Sequence, residues 1–257
     1  MPILSWFGRR PEMEEFMTAE YGEFPRRDQN RGDSGRRGLL AGAAGVLMTI
    51  SLAGSMSHVA DAANEGGALR LVALGDSLTA GYGLPADAAL PVQLQRRLEA
   101  RGHKVVIVNA GVSGDTASGG LERLDWSIAA DAEGAIVALG ANDALRGIDP
   151  AVTRKALDAI LSRLRAKGLE VLLAGMLAPR NLGEAYARAF DAIYPDLARQ
   201  HGVEFYPFLL EGVVGVPRFN LNDGIHPTAE GVGLIADRML PAVERLLAKV
   251  EAKRAGH

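Results

Sequence analysis

From residue 70 onward, the sequence alternates short apolar runs with longer amphipathic stretches. Five apolar runs have the length and composition of buried strands: residues 70–75, 104–109, 134–140, 171–174 and 203–206. The stretches between and after them favour helices, over residues 86–101, 116–128, 150–167, 186–200 and 228–253. Apolar strands that alternate with amphipathic helices are typical of a parallel sheet covered on both faces. We therefore expect an α/β fold, a three-layer α/β/α sandwich with about five parallel strands.

The first 62 residues have a different character. Residues 1–37 are polar, contain three arginine pairs and show no apolar periodicity, which predicts a disordered arm. Residues 38–54 carry no charge, and an Ala-x-Ala pattern follows at residues 60–62. Positive charge, a short apolar run and a small-residue site are the parts of a secretory signal, in that order. The sequence thus divides into an arm (1–37), an export signal (38–62) and one domain (63–257).

The route and the fate of this signal stay open. Arg36-Arg37 before the apolar run partly resembles a twin-arginine export signal, although Gly35 stands where Ser or Thr is usual. General secretory export is the alternative. An uncleaved membrane anchor is another, because a run of about 17 residues is at the lower limit for spanning. Ser55 occupies the cysteine position of a lipoprotein box, so no lipid anchor forms there. We expect a periplasmic or secreted protein that has no stable membrane anchor after cleavage.

Composition excludes several classes of function. The chain has no cysteine, which excludes disulfides, thiolate nucleophiles, zinc–thiolate sites and iron–sulfur clusters. It has 28 Lys+Arg against 31 Asp+Glu, a formal net charge of -3, so there is no basic excess to neutralise phosphates. We therefore expect no nucleic-acid partner.

Four polar segments fall where they can meet at one edge of the sheet. Three follow predicted strands and one precedes the last helix: residues 75–81, 109–115, 140–143 and 223–227. In a parallel sheet, ligands bind at the carboxyl ends of the strands. Among the five histidines, only His226 lies three residues after an aspartate, Asp223, and directly before a proline. Such a pair suits a general base and the group that orients it, although an ordinary surface turn has the same spacing.

Other catalytic motifs are absent or misplaced. Neither Ser77 nor Ser113 lies in the Gly-x-Ser-x-Gly elbow of α/β-hydrolases. There is no His-Glu-x-x-His motif and no phosphate-binding P-loop. Residues 81–86 match a dinucleotide-binding fingerprint in form, but they begin well beyond the predicted strand end.

Together, the four segments resemble the SGNH hydrolases, also called the GDSL esterase/lipase family. Residues 75–78 (GDSL) resemble the first block of that family, with Ser77 in the position of the nucleophile. Gly111 matches the glycine of the second block and Asn142 the asparagine of the third. Asp223 and His226 match the Asp-x-x-His of the last block. Residues 75–84 and 141–147 look most like the bacterial thioesterase, lysophospholipase and arylesterase subgroup, although Ala141 stands where that subgroup commonly has glycine.

This resemblance implies a flavodoxin-like SGNH hydrolase fold and a serine esterase that acts through an acyl-enzyme. Its partners would be small-molecule acyl esters or thioesters, including aryl esters and lysophospholipids, and it would need no metal or organic cofactor. The implied catalytic residues are Ser77, Asp223 and His226. The implied oxyanion hole consists of the N–H groups of Ser77 and Gly111 and the side-chain amide of Asn142.

Three further residues are candidates for substrate binding: Asp143, Leu145 and Leu177. Asp143 could instead brace a neighbouring loop. Two other functions also remain: a carbohydrate O-deacetylase, because the same fold and triad serve acetylated glycans, and a non-catalytic binding protein that retains the fold.

Overall fold

The computed structural model describes residues 67–256, so the predicted arm and export signal lie outside the described residues. Its five strands are β1 (Leu69–Gly75), β2 (Val105–Gly111), β3 (Gly134–Ala138), β4 (Glu170–Ala174) and β5 (Glu204–Tyr206). They form one sheet in the order β2-β1-β3-β4-β5, and every neighbouring pair is parallel. The predicted five-stranded parallel sheet is confirmed.

The helices follow the predicted alternation with two differences. In the described part of the chain they are α1 (Ser77–Ala80), α2 (Leu90–Ala100), α3 (Ala117–Glu122), α4 (Leu124–Ser127), α5 (Ala141–Leu145), α6 (Pro150–Ala166), α7 (Glu184–Asp191), α8 (Ile193–His201) and α9 (Ala229–Ala255). Helices α1 and α5 were not predicted, because four or five residues show no helical periodicity. Each of the two stretches predicted as one helix, over 116–128 and over 186–200, is two helices. In the second stretch, Pro195 accounts for the break, since its ring would clash with the carbonyl of Asp191 in a continuous helix.

The sheet is the middle layer of three. Helices α2 and α9 pack together and against the sheet, and α3, α6 and α8 form a second group of packed helices. Leucines in the central strands are inaccessible to solvent, as expected for a sheet covered on both faces: Leu71, Leu74, Leu172 and Leu173 are each 0% exposed. Within residues 67–256, no helix has both the length and the apolar character needed to cross a membrane.

The strand order creates a crevice between β1 and β3. The chain leaves β1 toward β2 on one side and later returns to β3 on the other side. In open α/β sheets, such a reversal of strand order marks where ligands bind. The last residue of β1, Gly75, pairs in register with Gly111 of β2 and with Ala138 of β3. Three of the four polar segments therefore begin side by side.

Candidate active site

Ser77 is the first residue of the short helix α1, directly after the tight turn that follows β1. Asp76 caps this helix, and its Oδ1 accepts a hydrogen bond of 3.0 Å from the Leu78 N–H. At the other end, Gly81 is in the left-handed conformation (φ 82°), which favours glycine. The N–H groups of Gly81 and Tyr82 both donate to the Ser77 carbonyl at 3.1 Å. These bonds fix the backbone of Ser77 at the carboxyl edge of the sheet.

The segment before α9 brings Asp223 and His226 to Ser77. His226 Nε2 lies 2.9 Å from Ser77 Oγ, and His226 Nδ1 lies 2.6 Å from Asp223 Oδ2. The turn is held by the Ile225 and His226 N–H groups, which donate to Asp223 Oδ1 at 2.9 and 3.0 Å. The Leu221 N–H donates to the His226 carbonyl at 2.7 Å. Asp223 and His226 are therefore more than a local surface turn, because the imidazole reaches a side chain 149 residues away.

The surroundings of Asp223 favour its ionised form. Partial burial alone would raise the pKa of this carboxyl, but hydrogen bonds from the backbone and imidazole of His226 and from the Ile225 N–H outweigh it, so the pKa is lowered. An ionised carboxylate accepts a hydrogen bond from Nδ1–H of His226, which favours the tautomer with no proton on Nε2. Nε2 is then the acceptor for the Ser77 hydroxyl, as a general base requires.

Asn142 is in the first turn of α5, beside the Ser77 turn. Its Nδ2 donates to the Asp115 carbonyl at 2.9 Å and lies 3.4 Å from Asp76 Oδ2. Asp76 directly precedes Ser77, so the side-chain amide lies close to the candidate nucleophile. The role of Asn142 as an oxyanion donor stays a prediction.

Gly111 does not fit the donor role that we expected from its motif. Its N–H already donates to Asn109 Oδ1 at 2.9 Å. It is also the last residue of β2, where a Cβ would lie 2.3 Å from the Ala80 nitrogen and 2.9 Å from the Asp76 carbonyl oxygen. Glycine is therefore required at 111 so that β2 can pack against helix α1. The expectation that the Gly111 N–H belongs to the oxyanion hole is therefore corrected, because this N–H is engaged by Asn109.

Gly114, three residues further on, has the available N–H. It lies in a turn closed by the Asp115 N–H, which donates to the Val112 carbonyl at 3.1 Å, and its φ of 86° is one that glycine adopts without strain. The turn is bonded on both sides, because the Val112 N–H donates to Gly75 O and the Asp115 carbonyl accepts from Asn142. Within residues 67–256, the Gly114 N–H donates no hydrogen bond. The sequence pattern does not indicate Gly114, because the segment 109–115 contains two glycines and only the end of β2 distinguishes them.

The three residues proposed for substrate binding have different environments. Asp143 is 0% exposed, and its two oxygens accept from the Ala117 N–H at 2.8 Å and from Thr153 Oγ1 at 2.9 Å. Desolvation by burial raises the pKa of this carboxyl. Asp143, in α5, therefore links this helix to α3 and α6 and is not placed to contact substrate. This corrects the expectation that Asp143 binds substrate. Leu145 ends α5, Leu177 follows β4, and both are half-buried near the same edge of the sheet.

Tyr82 is a candidate functional residue that no motif indicated. Its ring lies over the imidazole of His226, with the ring centroids 4.5 Å apart and the planes at 37°. The two segments also touch at Gly83, where a Cβ would lie 2.9 Å from Leu221 Cδ1. Because Tyr82 and His226 are far apart in sequence, their contact cannot be inferred from the spacing of either segment.

Arg123 links three parts of the site. Its guanidinium pairs with the carboxylate of Asp115, and its NH2 donates to the Gly75 carbonyl at 2.8 Å. Asp115 in turn holds Asn142 through its own carbonyl. Arg123 therefore fixes the end of β1 relative to the Gly114 turn. Within residues 67–256, no group of three or more His, Asp or Glu side chains is arranged to hold a metal ion.

The buried carboxyl of Asp76 leads to a prediction about stability. Desolvation raises the pKa of this group to about 7, above the ordinary value of 3.8. The folded protein therefore binds the proton of the Asp76 carboxyl more tightly than the unfolded chain does. The resulting stability is fully present below about pH 4 and is lost as the pH rises through about 7. We expect wild type to lose up to about 4 kcal/mol relative to Asp76→Asn between pH 4 and pH 8.

Denaturant unfolding of both proteins across this pH range measures the effect. Asparagine keeps an oxygen that can cap α1, so the variant is suited to the comparison. Replacement of the exposed Asp87 by asparagine is the control and should follow wild type. Parallel stability curves for wild type and Asp76→Asn would rule out the linkage.

Comparison with known proteins identifies the family of the chain. Residues 73–234 match the GDSL-like Lipase/Acylhydrolase family. The chain is 38% identical over 184 residues to "Esterase TesA" of Pseudomonas aeruginosa, which covers 71% of this chain and 92% of that protein. It is 40% identical over 178 residues to "Thioesterase 1/protease 1/lysophospholipase L1" of Escherichia coli K12, covering 69% of this chain and 84% of the relative. The chain belongs to the GDSL-like lipase/acylhydrolase family.

Solved structures agree on the fold. A crystal structure of TesA aligns with a TM-score of 0.66 at 37% sequence identity, covering 69% of this chain and 99% of that chain. AlinE4, described as an SGNH-hydrolase family esterase, aligns with a TM-score of 0.60 at 43% identity, covering 71% of this chain and 98% of the other. The SGNH hydrolase fold expected from the four segments is thus confirmed.

Proposed function

We propose that the protein is a serine esterase with Ser77 as nucleophile, His226 as general base and acid, and Asp223 as the group that orients the imidazole. The observation that carries this proposal is the continuous hydrogen-bonded chain of the three side chains, 2.9 Å from Ser77 Oγ to His226 Nε2 and 2.6 Å from Nδ1 to Asp223 Oδ2. A hydroxyl becomes nucleophilic when a base can take its proton and a third group orients that base.

The first half of the reaction forms an acyl-enzyme. Ser77 Oγ attacks the acyl carbon as its proton moves to His226 Nε2, and the carbonyl oxygen becomes an oxyanion. The bond from the acyl carbon to the alcohol or thiol then breaks, and His226 returns the proton to the leaving group. In the second half, water repeats these steps on the acyl-enzyme and releases the acid. No cofactor enters this scheme.

Three neutral donors are proposed to stabilise the oxyanion: the Ser77 N–H, the Gly114 N–H and the Asn142 side-chain amide. In the described part of the chain, neither backbone N–H has an acceptor. One N–H of the Asn142 side-chain amide donates to the Asp115 carbonyl, and the same nitrogen lies 3.4 Å from Asp76 Oδ2. These contacts hold the amide in place beside Ser77. Each donor of this kind contributes about 3–4 kcal/mol to transition-state stabilisation.

The substrates proposed are aryl esters, acyl thioesters and lysophospholipids. These classes come from the names of relatives, which include the thioesterase and lysophospholipase of Escherichia coli and an "Arylesterase" of Vibrio mimicus that is 37% identical over 169 residues. Leu145 and Leu177 are proposed to line the acyl site, because both are half-buried near the carboxyl ends of β3 and β4. A carbohydrate O-deacetylase is the alternative for the same triad.

A series of p-nitrophenyl esters of increasing chain length, assayed beside acetylated xylan, separates the two substrate classes. We expect hydrolysis of esters with four or more acyl carbons and of an acyl thioester, and little release of acetate from the glycan. The Ser77→Ala variant measures the background rate. Preference for the glycan, with little activity on longer esters, would instead identify a deacetylase.

We also propose that Tyr82 stabilises the imidazolium that His226 becomes during the reaction. An aromatic face within about 6 Å of a cation contributes about 0.5–2 kcal/mol. We expect Tyr82→Leu to lower kcat about 3- to 10-fold with little change in KM. Tyr82→Phe should retain wild-type kcat, because it keeps the ring.

Steady-state kinetics of the two variants test this role. Leucine also covers the imidazole, so the comparison separates the ring electrons from simple shielding. Equal kcat values for the leucine and phenylalanine variants would contradict it.

Export is part of the proposed function. We propose that residues 38–62 direct the chain across a membrane and are removed after Ala62, by the general secretory or the twin-arginine route. N-terminal sequencing of the protein from a periplasmic fraction should begin at Ala63. An intact N-terminus in a membrane fraction would indicate an anchor instead, and Arg36→Lys with Arg37→Lys distinguishes the two routes.

A further inference from the structure

Arg146 differs from the other arginines between residues 67 and 256. Each of the others has a nitrogen within 4.0 Å of a carboxylate oxygen of a described residue, whereas Arg146 has none. Its side chain is exposed. Among the described residues, Arg146 is thus the one arginine whose guanidinium makes no direct contact with a carboxylate, and it lies beside the candidate active site.

The guanidinium of Arg146 is fixed at the rim of this site. Arg146 follows α5, four residues after Asn142, and its backbone N–H donates to the Asn142 carbonyl at 3.1 Å. Its NH2 donates to the Gly114 carbonyl at 2.9 Å. Gly114 and Asn142 are two of the three proposed oxyanion donors. A guanidinium has five N–H donors, and this is its only side-chain hydrogen bond among the described residues.

Nearby carboxylates are engaged elsewhere. Asp143 is buried, with its oxygens bonded to the Ala117 N–H and to Thr153. Asp115 pairs with Arg123, and Asp149 caps α6 by accepting from the Ala151 N–H at 2.9 Å. An anion that approached Arg146 would therefore meet free donors in a fixed position. It would not have to displace a carboxylate partner first.

We infer that Arg146 binds a phosphate carried by the alcohol part of the substrate. Guanidinium groups bind phosphate oxygens through parallel hydrogen bonds and are suited to that geometry. The alcohol part is indicated because Arg146 is exposed at the rim, whereas the apolar candidates for the acyl site are half-buried. The hydrogen bond to the Gly114 carbonyl holds the guanidinium beside a proposed oxyanion donor, so we expect the phosphate to lie close to the scissile ester. Arg146 thus distinguishes the lysophospholipids from the other proposed substrates through their phosphate, and this inference rests on the proposed esterase function.

Paired substrates test the assignment. Hexanoyl glycerol phosphate and monohexanoyl glycerol have the same acyl group and differ in the phosphate, and the short chain keeps both monomeric. We expect Arg146→Gln to lower kcat/KM about 10- to 100-fold on the phosphate ester, mainly through KM, and less than about 2-fold on the neutral ester. Arg146→Lys should recover part of the loss, since it keeps the charge without the planar geometry. Arg188→Gln, which removes an exposed arginine paired with Glu184, is the control and should match wild type on both esters.

A binding measurement separates this inference from the esterase proposal. In a Ser77→Ala background, Arg146→Gln should weaken binding of the phosphate ester by a similar factor, whether or not the wild type turns it over. An equal loss of kcat/KM on both esters would overturn the inference and make Arg146 a positioning residue that acts through Gly114. Unchanged kinetics and binding for the phosphate ester would also overturn it. If wild type hydrolyses no ester, the proposed esterase function fails, and the binding result alone decides whether Arg146 recognises phosphate.

Discussion

Replacing Asp223 with asparagine is expected to lower kcat about 10⁴-fold, the size of effect known for loss of the carboxylate in Ser-His-Asp enzymes. Asparagine can present its NH2 group to Nδ1 of His226, which favours the tautomer with the proton on Nε2. The imidazole then no longer accepts the Ser77 proton. The amide oxygen can still accept from the Ile225 and His226 N–H groups, so the turn before α9 should keep its shape. Steady-state kinetics on p-nitrophenyl butyrate measure the effect, and the melting temperature checks the fold.

A second Asp–His pair provides a matched control. His201 Nε2 lies 2.6 Å from Asp158 Oδ1, at a distance similar to that of the candidate pair, but on the outer helices α6 and α8. Asp158→Asn should leave kcat unchanged. If Asp223→Asn kept more than about a tenth of wild-type kcat, the proposed role of Asp223 would be wrong.

The second large effect is expected at Asn142. Asn142→Ala removes a side-chain donor from the proposed oxyanion hole and should lower kcat about 10²- to 10³-fold with a small change in KM. The loss falls on kcat because the donor bonds most strongly to the charged oxygen of the transition state. Asn142 is only partly buried, and the backbone bonds of α5 remain, so the variant should fold.

Asn109→Ala is the informative comparison for this prediction. Asn109 also presents an amide near the site, but its oxygen engages the Gly111 N–H, which we exclude from the oxyanion hole. We expect its kcat to stay within about 3-fold of wild type. Equal losses in the Asn142 and Asn109 variants would indicate a general disturbance of the loops. The loss of kcat in Asn142→Ala would then not identify its amide as an oxyanion donor.

Much of the fold follows from local sequence patterns. Buried strands in this chain are continuous apolar runs, and the longer helices have clear periodicity, so the order of elements and the parallel sheet could be predicted. Helices α1 and α5 could not, because a single turn of helix has no repeat to detect. They matter for the site, since Ser77 begins α1 and Asn142 lies in α5.

The errors in the site came from properties that a linear sequence does not contain. Asp143 was a candidate for substrate binding, but its side chain is directed into the protein toward Ala117 and Thr153. The sequence alone does not show whether Gly111 or Gly114 has the free N–H. The end of β2 and the hydrogen bond of the Gly111 N–H distinguish them. The contact of Tyr82 with His226 depends on two distant loops that meet in the folded chain.

The most direct test of the account is labelling with a fluorophosphonate, which reacts with an activated serine. We predict a single adduct on the peptide that contains Ser77 in wild type, none in Ser77→Ala, and much slower labelling in Asp223→Asn. Folded wild-type protein that takes up no label, or an adduct that persists in Ser77→Ala, would contradict the assignment of Ser77 as the nucleophile.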